Sequence, residues 1–277
     1  MSVIKIENLV RDYGGGKGVF DISFHVNQGE AFGFLGPNGA GKTTTIRHLM
    51  GFLKPRSGKC TIDGLDCWDK RDQVQARLGY IPGEISFFED LSGTEFLKFI
   101  TEYRRLGTRS RKEELLERFE LDPKGKIKKM SKGMKQKLGI VAAFMHDPDI
   151  LILDEPTSGL DPLMQNRFVD LVAEEKKHGK TILMSSHMFE EVERTCDRIG
   201  IIRNGRMVAV DDAAALRERH TRKYTVTLES ESAAEAFAGD FNGIRNGSQV
   251  TVTTKQSLEE IFMNYYGGKK HDEHGSI

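Results

Sequence analysis

Residues 36–43 read Gly36, Pro37, Asn38, Gly39, Ala40, Gly41, Lys42 and Thr43, a complete G-x-x-x-x-G-K-T loop between an apolar run at 31–35 and a helix-like segment at 44–50. This order of residues can hold the phosphates of a nucleotide. Glycines let the backbone curl until successive N–H groups point inward at anionic oxygens. The helix that follows adds the positive end of its dipole. Lys42 can reach β- and γ-phosphates, and the Thr43 hydroxyl can ligate Mg²⁺. The plainer alternative is a glycine-rich turn with no ligand.

Two carboxylates stand at a second candidate position. Asp154 ends the apolar run Ile150, Leu151, Ile152, Leu153, and Glu155 follows it directly. An acidic residue at the carboxyl end of a buried strand faces the crevice in which the phosphate loop also lies. Asp154 is the candidate Mg²⁺ carboxylate; a helix-capping aspartate is the alternative. Glu155 can accept a hydrogen bond from water and aim it at the γ-phosphorus, or merely tune the metal site.

These groups need strands to deliver them and helices to cover the strands. Residues 1–30 read as strands, with Ile4, Ile6 and Leu9 in one and Ile22, Phe24 and Val26 alternating in the next. Further strands are expected at 31–35 and 77–81, the latter stopped by Pro82. Ser92 and Glu95 form a capping-box pattern that opens a helix, and two more helices follow at 111–119 and 132–145. From residue 150 strands (150–153, 181–185, 198–202, 207–210) alternate with helices (162–177, 189–195), the pattern of a parallel sheet covered on both faces. Past 216 the texture changes. Strands at 224–228 and 250–252, a helix at 233–237 and a second capping box from Ser257 to Glu260 predict a small α+β appendage with a polar, mobile tail from 267.

Composition narrows the classes. The chain has 277 residues, with Lys+Arg and Asp+Glu equal at 41 each, so the net charge gives no footprint for nucleic acid. Cys60, Cys67 and Cys196 show no metal-site spacing and read as free thiols. No apolar run approaches the ~20 residues that span a bilayer.

Taken in order, the chain resembles the ATP-binding subunit of an ABC (ATP-binding cassette) transporter over residues 1–215. The segments that carry the resemblance are Tyr13; the loop from Gly36 to Thr44; Gly79 to Glu84; Met130 to Lys137; Ile150 to Pro156; Ser158 to Asp161; and Ser185 to His187. The resemblance implies a role for each. Tyr13 stacks on adenine, Thr44 touches the α-phosphate, and Lys42, Thr43, Asp154 and Glu155 act as above. Ser131 and Gly133 bind the γ-phosphate held by an opposite subunit. The N-cap position of Ser131 agrees, since free N–H groups there would face an anion. Asp161 links the two subunits' sites, and His187 is the switch histidine on the γ-phosphate.

Departures from the family pattern are equally specific. Gly83 stands where the family carries a glutamine that senses Mg²⁺ and the γ-phosphate, with Glu84 next to it. Lys132 and Met134 are unusual in the signature loop, and that variant is similar to exporters of drugs, antibiotics or peptides. The expected fold is therefore α/β: a P-loop NTPase with a mixed, mainly parallel sheet, an inserted helical subdomain at 84–148, and a small C-terminal α+β domain at 216–266 before the tail at 267–277. The resemblance implies Mg²⁺-dependent ATP hydrolysis, a second ATPase subunit (a homodimer) and a transmembrane permease as partners, no nucleic acid, and a cytoplasmic, peripheral place on the inner face of the cell membrane. The alternatives are a non-transport ABC-type ATPase or ATP-sensing clamp, and a degenerate cassette.

Overall fold

Alternation of apolar residues builds the first layer. In the computed structural model, which describes residues 1–107, 110–215 and 221–255 (side chains excepted at 221–223 and 253–255), β1 (Ser2–Gly14) pairs antiparallel with β2 (Lys17–Asn27). Ile4, Ile6 and Leu9 on one strand and Ile22, Phe24 and Val26 on the other are all buried. The other edge of β1 takes β4 (Ser57–Ile62), which in turn pairs with β5 (Leu65–Asp66), giving the order β2-β1-β4-β5.

The second sheet is six-stranded. Its members are β3 (Ala31–Leu35), β6 (Leu78–Ile81), β7 (Ile150–Asp154), β8 (Thr181–Ser186), β9 (Arg198–Arg203) and β10 (Arg206–Asp212), in the order β10-β9-β3-β8-β7-β6. The neighbours from β9 to β6 run parallel. Every residue of β3, β7 and β8 is buried, as strands covered on both faces require. The two sheets share one core. The Phe24 ring stacks on Phe32 at 5.0 Å and leans on Phe34 at 5.2 Å. Ile46 and Leu49 of α1 (Lys42–Leu49) join the same cluster. Each such side chain, fully buried, contributes about 1.5–3 kcal/mol.

Helices cover the rest: α2 (Arg71–Ala76), α3 (Gly93–Tyr103), α4 (Lys112–Arg118), α5 (Lys132–Phe144), α6 (Pro162–Lys177) and α7 (Phe189–Thr195). Helices α3 to α5 lie between β6 and β7 in the chain, where the helical insertion was expected. The capping box forms: Ser92 Oγ accepts from Glu95 N–H, and the Glu95 carboxylate accepts from Ser92 N–H at 2.6 Å.

The chain divides into two compact units, Met1–Val210 and Asp211–Ile277. The second holds β11 (Thr221–Thr227), α8 (Glu231–Phe241), β12 (Ile244–Asn246) and β13 (Gln249–Lys255), with antiparallel order β11-β13-β12. Ala234 packs on Val250 and Val252 to form its small core. The capping box at 257–260 and the tail at 267–277 lie outside the described residues.

The topology settles where chemistry can occur. Strands β3, β8 and β7 are neighbours and run the same way, with Leu35 beside Ser186 and Asp154 beside Ser185. The loops that leave their carboxyl ends therefore emerge side by side, in the crevice where open α/β sheets bind ligands.

Candidate nucleotide-binding and catalytic site

The loop after β3 turns into α1 at Gly41, whose φ of 111° is the left-handed region that favours glycine. No side chain caps this helix, so its first N–H groups face the loop. The helix starts at Lys42, two residues before the expected 44. Lys42 is only 5% exposed, and its ammonium reaches across the loop to the carbonyls of Gly36 (2.5 Å) and Pro37 (3.2 Å).

Two strands away, beyond β8, Asp154 is fully buried. Burial pushes its carboxyl above the usual carboxylate range, against the pull of the Ser185 and Thr43 hydroxyls. Ser185 Oγ donates to Asp154 Oδ1 at 2.5 Å. Oδ2 has no hydrogen-bond partner among the described residues. Glu155 comes next, with φ at +49°, a conformation that costs a non-glycine residue about 1–3 kcal/mol unless its surroundings hold it. They do so here: Glu155 N–H donates to Ser185 Oγ (3.1 Å) and to the Ser185 carbonyl (3.2 Å). The twist aims the side chain between Lys42 and His187. Oε1 lies 3.0 Å from Lys42 Nζ, and Oε2 lies 2.5 Å from His187 Nδ1. Lys42, Glu155 and His187 thus form one continuous polar chain across the mouth of the phosphate loop.

These residues line an open cleft of about 810 Å³. Tyr13 stands on its wall, half exposed, with the Arg11 guanidinium 5.3 Å from the ring centre. Asn38, Gly39, Gly41, Thr43 and Thr44 line it as well, with Pro37, Gly83 and Glu84. Position 83 sends no side chain towards the metal candidates. A Cβ there would stand 3.0 Å from Asp154 Oδ2 and 3.6 Å from Thr43 Oγ1. Glycine keeps that space open beside the unpartnered carboxylate oxygen. A buried, unpartnered carboxylate oxygen next to a threonine hydroxyl is a fitting donor set for Mg²⁺, which prefers hard oxygen ligands and keeps several waters.

Other expected residues lie off this cleft. Ser131 caps α5, its Oγ accepting from Met134 N–H at 3.2 Å. A Cβ on Gly133 would meet the Gly159 carbonyl at 2.9 Å. Asp161 caps α6, accepting from Met164 N–H at 3.0 Å. Gly36 and Ala40 belong to the loop's buried side. Lys132 bridges the two groups: it lines the cleft, and its ammonium donates to Ser158 Oγ at 3.1 Å.

In the 185–187 segment the family resemblance gives a role to the histidine alone, and nothing local marks Ser185. Replacing Ser185 by Ala removes the donor to Asp154 and one holder of the Glu155 backbone. Leaving a buried oxygen without its donor costs about 1–3 kcal/mol. We expect S185A to melt earlier and, through misplacement of Glu155, to slow about tenfold the ATP hydrolysis that the sequence leads us to expect. Parent values for both melting and turnover would contradict this account.

Comparison with known proteins agrees with the geometry. The profile of the ABC transporter family matches residues 19–158. The chain is 36% identical over 255 residues to the linearmycin resistance ATP-binding protein of Bacillus subtilis (strain 168), covering 90% of this chain and 82% of that protein. It is 38% identical over 228 residues to the bacitracin transport ATP-binding protein of Bacillus licheniformis, covering 80% and 74%. Among solved structures it is similar to an ATP-binding subunit of an ABC transporter, at 33% identity and TM-score 0.71, covering 79% of this chain and 93% of that one. It also shares its fold with a dimeric cassette in a post-hydrolysis state bound to ADP and Pi, at 22% identity and TM-score 0.67, covering 76% and 98%.

Proposed function

This chain belongs to the ATP-binding proteins of ABC transporters, and on that premise we propose that it powers export of a drug, antibiotic or peptide by a separate membrane subunit. The observation that carries the reading is the Glu155 carboxylate held between Lys42 and His187 at the phosphate loop. Nucleotide binding and ATP hydrolysis follow from family membership. The residue roles, Mg²⁺, the pairing of subunits, the membrane partner and the location are our inference.

In this reading the loop amides from Gly36 to Thr44 and the Lys42 ammonium bind the phosphates, and Tyr13 covers the adenine. Thr43 and Asp154 hold Mg²⁺. Bound there, it would supply positive charge to offset the negative charge that develops during phosphoryl transfer. Glu155 accepts a hydrogen bond from the attacking water, and His187 orients Glu155 and faces the γ-phosphate. With position 83 empty of side chain, water or Glu84 serves where the family uses glutamine. A second copy presents Ser131, Gly133 and Asp161 to this cleft, so ATP stabilises the closed pair through contacts that ADP lacks.

No described helix is long and apolar enough to cross a membrane, and in this reading a membrane subunit supplies the attachment. An apolar groove of about 290 Å³ beside residues 83–95 suits it, with Phe52, Tyr80, Phe87 and Phe96 on its walls. Phe88, Phe99 and Tyr103 stand exposed on α3 and the segment before it. The relatives named for linearmycin resistance and bacitracin transport support the cargo class.

The test is to look beside its gene for one that encodes a multi-span membrane protein, and to co-express the two. The chain should co-purify with it in detergent, sediment with membranes only in its presence, and pair when E155Q is loaded with ATP. ATP hydrolysis by a chain that never associates with a membrane protein would move the reading to a non-transport ATPase.

A further inference from the structure

A buried carboxylate away from the cleft joins the two loops on which hydrolysis depends. Glu191 on α7 is 4% exposed. Its Oε1 accepts from Thr157 Oγ1, and its Oε2 accepts from Ser186 Oγ at 2.9 Å. Thr157 lies two residues after Glu155, and Ser186 lies one before His187. The carboxylate therefore holds, one on each oxygen, the loop that carries the catalytic carboxylate and the loop that carries the histidine.

The surroundings make this a rigid tie. Ser186 Oγ also accepts from Met188 N–H at 2.8 Å, which fixes the turn just past His187. Thr195 Oγ1 donates to the Glu191 carbonyl at 2.7 Å. On its other side the 155–158 segment is fastened by Gln136 of α5, 5% exposed, whose amide donates to the Pro156 carbonyl at 2.6 Å. No lysine or arginine pairs with Glu191 among the described residues. Burial raises its pKa, and the two hydroxyls pull it back. A carboxylate in such a place costs stability compared with a well-packed apolar residue. What it supplies in return is a two-point contact of fixed span that no aliphatic side chain can make.

We propose that Glu191 is a positioning residue of the ATPase: by binding Thr157 and Ser186 with one carboxylate, it sets the separation of Glu155 from His187. The proposal rests on the ATPase assignment above and adds a residue that does not touch the nucleotide. A hydroxyl can either donate or accept. Gln at 191 keeps both contacts, with its carbonyl oxygen accepting from one hydroxyl and its amide donating to the other. Leu keeps the volume and loses both.

The experiment measures kcat and KM for ATP, together with melting temperature, in the full chain carrying E191L, E191Q or T157V. A misplacement of about 1 Å costs up to about 100-fold in rate. E191L should lower kcat about 10- to 100-fold with KM within about threefold of the parent, because binding groups are untouched. T157V, which removes one contact only, should fall between. E191Q should keep at least about half the parent kcat. Parent kcat in E191L or in T157V overturns the proposal. So does E191Q as slow as E191L, since that would make the charge rather than the span the active feature. A rise in KM matching the fall in kcat, alongside a lowered melting temperature, would reduce Glu191 to a structural role. If E191L does not fold, T157V and E191Q decide by the same criteria. A parent protein without Mg²⁺-dependent turnover would sink the ATPase assignment itself, which is a separate outcome.

Discussion

Glu155→Gln is expected to bind ATP about as well as the parent and to turn it over about 10²- to 10⁴-fold more slowly, the range set by losing a positioned general base. The substitution preserves shape. The amide can still meet His187 Nδ1, and the backbone at φ +49° keeps its bonds to Ser185. What disappears is the negative oxygen 3.0 Å from Lys42, which in the parent can draw a proton from water. The Lys42 ammonium loses a competitor for the phosphates, so affinity should hold or rise. Single-turnover hydrolysis with radiolabelled ATP, with nucleotide retention measured in parallel, separates the two effects. Near-parent turnover would remove Glu155 from the base role. Equal losses of binding and turnover would make it a structural partner of Lys42.

Legibility from sequence followed the range over which each feature is encoded. The phosphate loop is written in consecutive residues, and β3, β7 up to Leu153 and the middle of β8 (Ile182, Leu183 and Met184) are apolar runs, so both could be read directly. The strand β4 could not. In Ser57–Ile62 only Cys60 and Ile62 point into the core, and the strand exists because Ile62 and Cys60 pair with Ile4 and Ile6 far upstream. The short helix α2 buries a single residue, Val74, and β12 buries none, so neither leaves a periodic trace. The site divides in the same way. Lys42, Asp154, Glu155 and His187 stand in recognisable local contexts. Ser185, Thr157 and Gln136 act through hydrogen bonds across 20 to 34 positions of chain, as Glu191 does towards Thr157, and no local pattern contains such bonds. Glu190 and Glu191 look alike in the sequence, yet one is exposed and the other is held under two hydroxyls.

Lys42→Met should abolish measurable nucleotide binding at concentrations where the parent saturates. Truncating one member of a buried, hydrogen-bonded charge pair costs about 2–5 kcal/mol, roughly 30-fold and upward in affinity. Methionine keeps most of the aliphatic stem and lacks only the cation, so packing of α1 against the core should survive. The free protein should nevertheless suffer, because Lys42 (5% exposed) faces Glu155 (16% exposed) at 3.0 Å and its removal strands a carboxylate. Breaking such a pair costs up to about 3–5 kcal/mol when both partners are dry. Here the figure is an upper bound, since His187 still touches Glu155 and is itself 52% exposed. A double substitution tests the coupling. If the loss arises from a stranded charge, K42M combined with E155Q should melt above K42M alone, because the neutral amide no longer needs a cation. Melting temperatures that add independently would show that the two side chains do not share an electrostatic pair in the folded protein. In that case the polar chain from Lys42 through Glu155 to His187 could not position the water.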